Sequence, residues 1–84
     1  MSIADQVMQI IAEHLEKDVE ELNPDALFVQ DMGADSLDLS ELVIAFEQTF
    51  NIRVPPEHAA QIRSPRSAIE YIEARASGAP GKTA

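Results

Sequence analysis

From Ser36 to Phe50 the chain carries one uninterrupted helical pattern. Leu39, Leu42, Val43, Phe46 and Phe50 stand at i, i+3, i+4, i+7 and i+11, which places them on one face of a helix. Turn chemistry around Gly33 bounds the segment on one side. Val54-Pro55-Pro56 bounds it on the other, because proline disfavours helical geometry in the residue before it. A helix with one apolar face must bury that face against something. A sheet is not available for this, since Leu27-Phe28-Val29 is a short apolar run with no second strand to pair with. The partners must be other helices.

Two such partners can be read. Ile3, Val7, Ile10, Ile11 and Leu15 form an apolar stripe, and Ser2 with Asp5 three residues later suggests a cap at its start. Near the other end, Ser64-Pro65 reads as an N-cap followed by proline at the first helical position. The helix that follows runs to about Arg75, burying Ala68, Ile69 and Ile72 with Tyr71 at its edge. Pro56 to Ile62 is expected to add a short helix with Ala59, Ala60 and Ile62 inward. Between the first two helices, Asn23-Pro24-Asp25 is a turn signal, and Val19 and Leu22 are expected to pin this long loop to the core. Leu27 to Val29 is either a buried loop or a single helical turn. The expected fold is all-α, a small four-helix bundle of three main helices and a short third one. A domain over 1–76 and a disordered tail over 77–84, rich in Gly, Pro and small residues, complete the expectation.

Eighty-four residues allow one modest core and no deep cleft beside it. With no cysteine, the chain offers no disulfide, thiolate metal site or thiol nucleophile. The formal net charge is −9. Residues 1–52 hold twelve acids and one base, a net of −11, whereas residues 53–84 hold three acids and five bases, a net of +2. Such a surface repels nucleic acid and anionic lipid and attracts basic patches on other proteins. Solubility alone would also account for it. With no signal peptide and no apolar run of the roughly 20 residues a membrane helix needs, the chain is expected to be a cytoplasmic monomer without membrane insertion.

Catalysis by the chain itself finds little support. His14 and His58 have no acid or nucleophile near them in sequence, and both read as structural or solvent-exposed. Asp31, Asp35, Asp38 and Glu41 are crowded, but they lack the ligand spacing of a calcium loop, so no metal site is expected. That leaves Ser36, in Gly33-Ala34-Asp35-Ser36-Leu37, at the start of the best-defined helix. Either Asp35 or Ser36 serves as its N-cap. A second reading is that the Ser36 hydroxyl is esterified by a phosphate, which a helix N-terminus favours through its free N–H groups and dipole.

Residues 31–42, Asp-Met-Gly-Ala-Asp-Ser-Leu-Asp-Leu-Ser-Glu-Leu, resemble the 4′-phosphopantetheine attachment motif of acyl carrier proteins. The resemblance extends from Val7 to about Ile72, through Asn23-Pro24, Phe46-Glu47, Ile52 to Pro56, and Ala68-Ile69-Glu70-Tyr71-Ile72. It implies that Ser36 receives a phosphopantetheine arm from coenzyme A through a phosphopantetheinyl transferase. The arm's thiol would then carry acyl groups as thioesters, and the chain itself would catalyse nothing. It implies further partners with basic surfaces, such as acyl transferases and ketoacyl synthases. It also implies an acyl pocket between the helices, for which Phe28, Val29, Phe46, Ala59, Ile62 and Ala68 are the candidate lining. A second face of the main helix, with Leu37 and Ile44 amid Asp35, Asp38, Glu41 and Glu47, is the expected docking surface.

The sequence departs from common fatty-acid members of the family in its third-helix segment, Pro56-Glu57-His58-Ala59-Ala60-Gln61-Ile62-Arg63, where only one acid remains. Arg53, Arg63 and Arg66 lie nearby, and Gln48 stands where an acid is frequent. Fatty-acid synthesis and a specialised lipid or polyketide pathway both stay open. The reading from another class is an acidic helical adaptor that binds proteins without a prosthetic group.

Overall fold

The computed structural model describes residues 2–77, with side chains to Arg75. Four α-helices follow in order: α1 (Ile3–Leu15), α2 (Ser36–Phe50), α3 (Pro56–Ala59) and α4 (Pro65–Ser77). A 3-10 turn at Val19–Glu21 lies in the long first loop, and no strand occurs among the described residues. The all-α bundle holds.

Short polar side chains set the helix starts. Ser2 Oγ accepts the Asp5 N–H at 3.1 Å, which caps α1. Asp35 is the N-cap of α2, so Ser36 becomes its first helical residue. At the head of α4, Ser64 Oγ accepts the Ser67 N–H at 3.2 Å and Ser67 Oγ accepts the Ser64 N–H at 2.9 Å, a reciprocal pair of caps built from two serines. Two helices stop on residues in the left-handed region, Glu16 at φ 57° and Asn51 at φ 55°. Asparagine tolerates that conformation; glutamate gains nothing from it.

The core is aliphatic with two phenylalanines at its centre. Val7 and Ile11 of α1, Leu42 and Phe46 of α2, and Ala68 and Ile72 of α4 are almost fully buried in one cluster. α1 packs against both α2 and α4, so it is the element that holds the other two together. Phe28 enters the same cluster from the first loop. Its N–H donates to the Arg63 carbonyl at 2.9 Å, which ties that loop to the segment before α4. Around it, residues 27–34 form a hydrogen-bonded turn: Leu27 O accepts from Asp31 N, and Asp31 Oδ2 accepts from Leu27 N at 2.8 Å. Leu27 to Val29 is thus a turn, with Phe28 inward and Val29 turned out, 52% exposed.

Three expectations need correction. Val19 does not pin the loop, since it is 38% exposed where the 3-10 turn begins; Leu22 alone is buried there. The third helix stops at Ala59, and Ala60 is exposed. α4 extends past Arg75 to Ser77, so the expected tail begins inside the helix, and its remainder lies outside the described residues.

Candidate functional site

Ser36 owes its position to the two acids that bracket it. Asp35 Oδ1 accepts the Asp38 N–H at 2.9 Å and Asp38 Oδ2 accepts the Asp35 N–H at 3.1 Å. This reciprocal box satisfies two helix-end donors and fixes the first turn of α2. Just before it, Gly33 adopts φ 75°, a turn that an L side chain enters only with strain, although a Cβ there would meet open space. Ala34 is buried at 5% exposure and its N–H donates to the Phe28 carbonyl at 2.8 Å. The chain therefore arrives from a pinned turn, caps itself and presents Ser36 outward. Ser36 is exposed, at a helix N-terminus whose dipole favours an anion on its hydroxyl.

Ser36 is also part of the wall of a cavity of about 520 Å³. α2 contributes Leu39, Leu42 and Val43 to it, and the loop residues Phe28 and Val54 close it from below. Pro56, Ala59 and Ala60, followed by Ile62, form the opposite side. Among the described residues, Ser36 and Ser40 are the only polar side chains on this wall, one helical turn apart. Of the residues expected to line an acyl pocket, the structure brings Phe28, Ala59 and Ile62 to this cavity. Val29 lies on a smaller side lobe. Phe46 and Ala68 do not line either; both are 0% exposed and sit in the central core. Helical spacing told that they face inward, but not that the core cluster covers them completely.

The second face of α2 is as open as its spacing suggested. Leu37 is 65% exposed and Ile44 is 50% exposed, with Glu41 exposed between them. Large apolar side chains left in solvent beside carboxylates suit a contact surface. Ile44 also borders the cavity, so this surface and the pocket adjoin. Glu47 has a structural partner that its spacing did not foretell. Its Oε2 accepts the Val54 N–H at 2.8 Å in a partly buried position, so it braces the turn between α2 and α3. Asp35 and Asp38 likewise have their carboxylates engaged in capping.

The histidines behave as structural groups. His14 Nδ1 lies 3.1 Å from the Ile10 carbonyl in the last turn of α1. His58 Nδ1 lies 2.8 Å from the Tyr71 hydroxyl and links α3 to α4, an interaction the sequence did not announce across thirteen residues. Arg75 sits over the Tyr71 ring, 5.1 Å from its centroid. No cluster of three or more potential metal ligands occurs among the described residues, nor does a helix long and apolar enough to cross a membrane.

An exposed serine at a capped helix start, beside an apolar cavity, fits a phosphodiester-linked arm: the hydroxyl is reachable and the N-terminal N–H groups are at hand. A family described as "Phosphopantetheine attachment site" matches residues 5–72. The chain is 49% identical over 73 residues to an acyl carrier protein of Solidesulfovibrio magneticus, across 87% of this chain and 94% of that protein. The chain belongs to the acyl carrier protein family. Proteins of this family are non-catalytic carriers, and their prosthetic group is 4′-phosphopantetheine.

Proposed function

We propose that Ser36 carries the 4′-phosphopantetheine arm and that this chain presents acyl thioesters to partner enzymes of fatty-acid or related lipid or polyketide synthesis. The observation that carries the reading is the placement of one exposed hydroxyl at the first position of α2, on the rim of an apolar cavity. When bound, the arm supplies the terminal thiol that the cysteine-free chain lacks. The chain's own residues do the rest. Asp35 and Asp38 hold the helix start rigid, and its N–H groups face the phosphate. Phe28, Leu39, Val43, Ala59 and Ile62 offer an apolar wall against which an acyl chain is shielded from water.

Docking is assigned to the exposed face of α2, with Leu37 and Ile44 as the apolar anchors and Glu41 as the free carboxylate between them. A phosphopantetheinyl transferase and acyl-transferring enzymes with basic surfaces complement it. Charges at the edge of such a contact steer association, whereas desolvated anchors govern dissociation. The experiment is transferase kinetics with coenzyme A, followed by peptide mapping of the product. The arm is expected on the peptide containing Ser36. Glu41→Lys should slow association and flatten its salt dependence, and Ile44→Ala should speed dissociation. Glu57→Lys, on α3, should cost less than either. An arm found elsewhere, or Glu57→Lys as costly as Glu41→Lys, would overturn the assignment.

A further inference from the structure

The cavity beside Ser36 does not end in apolar wall. A side lobe of about 130 Å³ shares Phe28, Leu39, Ala59, Ala60 and Ile62 with the main cavity, so the two adjoin across these side chains. Where the lobe departs from the main cavity it is lined by Val29, Gln30 and Arg63. The apolar surface that begins at two serines is therefore bordered, on the side lobe, by Gln30 and Arg63.

Arg63 is held in place there by its backbone. Its N–H donates to Ser67 Oγ at 3.0 Å and its carbonyl accepts the Phe28 N–H at 2.9 Å. The guanidinium itself is uncommitted. Among the described residues Arg66 is taken by Asp25 and Arg75 by the Tyr71 ring and the Arg53 carbonyl, but Arg63 has no carboxylate within ion-pair distance. Residues 53–84 carry a net charge of +2, and within them a cation left without an acid beside an apolar lobe is a place where an anion is attracted. Pockets of this kind use a few polar groups to fix orientation, and a guanidinium fork matches a carboxylate.

Resting on the carrier reading above, we propose that Arg63, assisted by Gln30, is a specificity determinant for acyl groups that bear a carboxylate at the end distal to the thioester. The apolar stretch of such a cargo lies along Leu39 and Ala59, and its terminal anion meets Arg63. Plain saturated chains use the same wall but gain nothing from the guanidinium.

The test uses the arm-bearing protein, wild type and Arg63→Gln, each loaded with octanoate and with suberate attached through one of its two carboxyls. The readout is the rate of thioester cleavage by hydroxylamine. For the suberyl forms, Arg63→Gln is expected to speed cleavage by about two- to fivefold, the range that an exposed ion pair gives. For the octanoyl forms, the two proteins should react alike. The ratio of ratios removes intrinsic reactivity and any general loosening of the bundle. Equal effects of Arg63→Gln on both cargoes overturn the proposal and leave the carrier reading intact. A protein that accepts no arm at all overturns both.

Discussion

Asp35 and Asp38 cap each other across Ser36: each carboxylate accepts the other's backbone N–H, at 2.9 and 3.1 Å. Two acids that read as docking charges are thereby part of the local scaffold. The two roles separate experimentally. Asp38→Asn keeps an oxygen acceptor and removes the charge; Asp38→Ala removes both. We expect Asp38→Ala to lose about 1 kcal/mol of stability, the usual net worth of one hydrogen bond, and Asp38→Asn to lose clearly less. Thermal unfolding of the pair measures this. Equal losses would show that charge at the helix dipole, and not the capping bond, holds the turn.

Glu47 makes a related prediction. Its carboxylate takes the Val54 N–H at 2.8 Å, seven residues on, and so joins the end of α2 to the segment that leads into α3. Glu47→Ala leaves that donor without its partner in a partly buried place, and a loss of about 1–2 kcal/mol is expected. Glu47→Gln, which keeps a carbonyl oxygen, should recover much of it. In association kinetics with a transferase, Glu47→Gln should be nearly silent. A large kinetic effect without a loss of stability would return Glu47 to the docking surface.

Glu16 ends α1 in the left-handed region at φ 57°, where its N–H still donates to the Ala12 carbonyl. Glycine enters this region without the steric penalty of a Cβ, a difference of roughly 1 kcal/mol before the entropy of the freer unfolded chain is subtracted. Glu16→Gly also removes a negative charge from the carboxyl end of a helix, where it is unfavourable. The substitution should raise the melting temperature by a few degrees, as read by calorimetry. A fall would mean that the Glu16 side chain contributes to the fold in another way.

These cases show what was legible in the sequence. Capping at Ser2 was readable because its partner stands three residues on and the geometry is local; at α2 the sequence left Asp35 and Ser36 as alternatives, and the structure selects Asp35. The faces of α1, α2 and α4 were likewise readable from local spacing. The acceptor role of Glu47 was not readable because it depends on how the chain returns after α2, which no periodicity encodes. Phe46 and Ala68 were placed at the cavity because spacing says which side of a helix is buried, not which buried positions are covered by a neighbouring helix. Val19 failed in the converse way: it is apolar, but the 3-10 turn that carries it faces water. The Ser36 position followed from its motif, whereas the side lobe at Gln30 and Arg63 is a product of the first loop folding onto the segment before α4.

Arg66 and Asp25 form an ion pair at 2.6 Å, and both side chains are more than half exposed. The hydrogen bond from Arg66 lowers the Asp25 carboxyl below its ordinary 3.8. A lowered carboxyl contributes stability that is present above its unfolded value and is lost as the pH falls through the folded one. Wild type should therefore exceed Asp25→Asn by a small, constant margin near neutral pH, and that margin should begin to shrink as the pH falls towards 3.8 and vanish only below the lowered folded value. Melting temperatures of the two proteins across an acid titration provide the check. A margin that grows towards low pH would contradict the pairing.

The central claim is that a single hydroxyl, Ser36, receives the arm. It is tested most directly by the intact mass of three proteins after incubation with coenzyme A and a phosphopantetheinyl transferase: wild type, Ser36→Ala and Ser40→Ala. Wild type and Ser40→Ala are each expected to gain the mass of one phosphopantetheine. Ser36→Ala should gain none while keeping the helical circular dichroism and cooperative melting of the parent. Modification of a folded Ser36→Ala, or none of wild type, would contradict the claim.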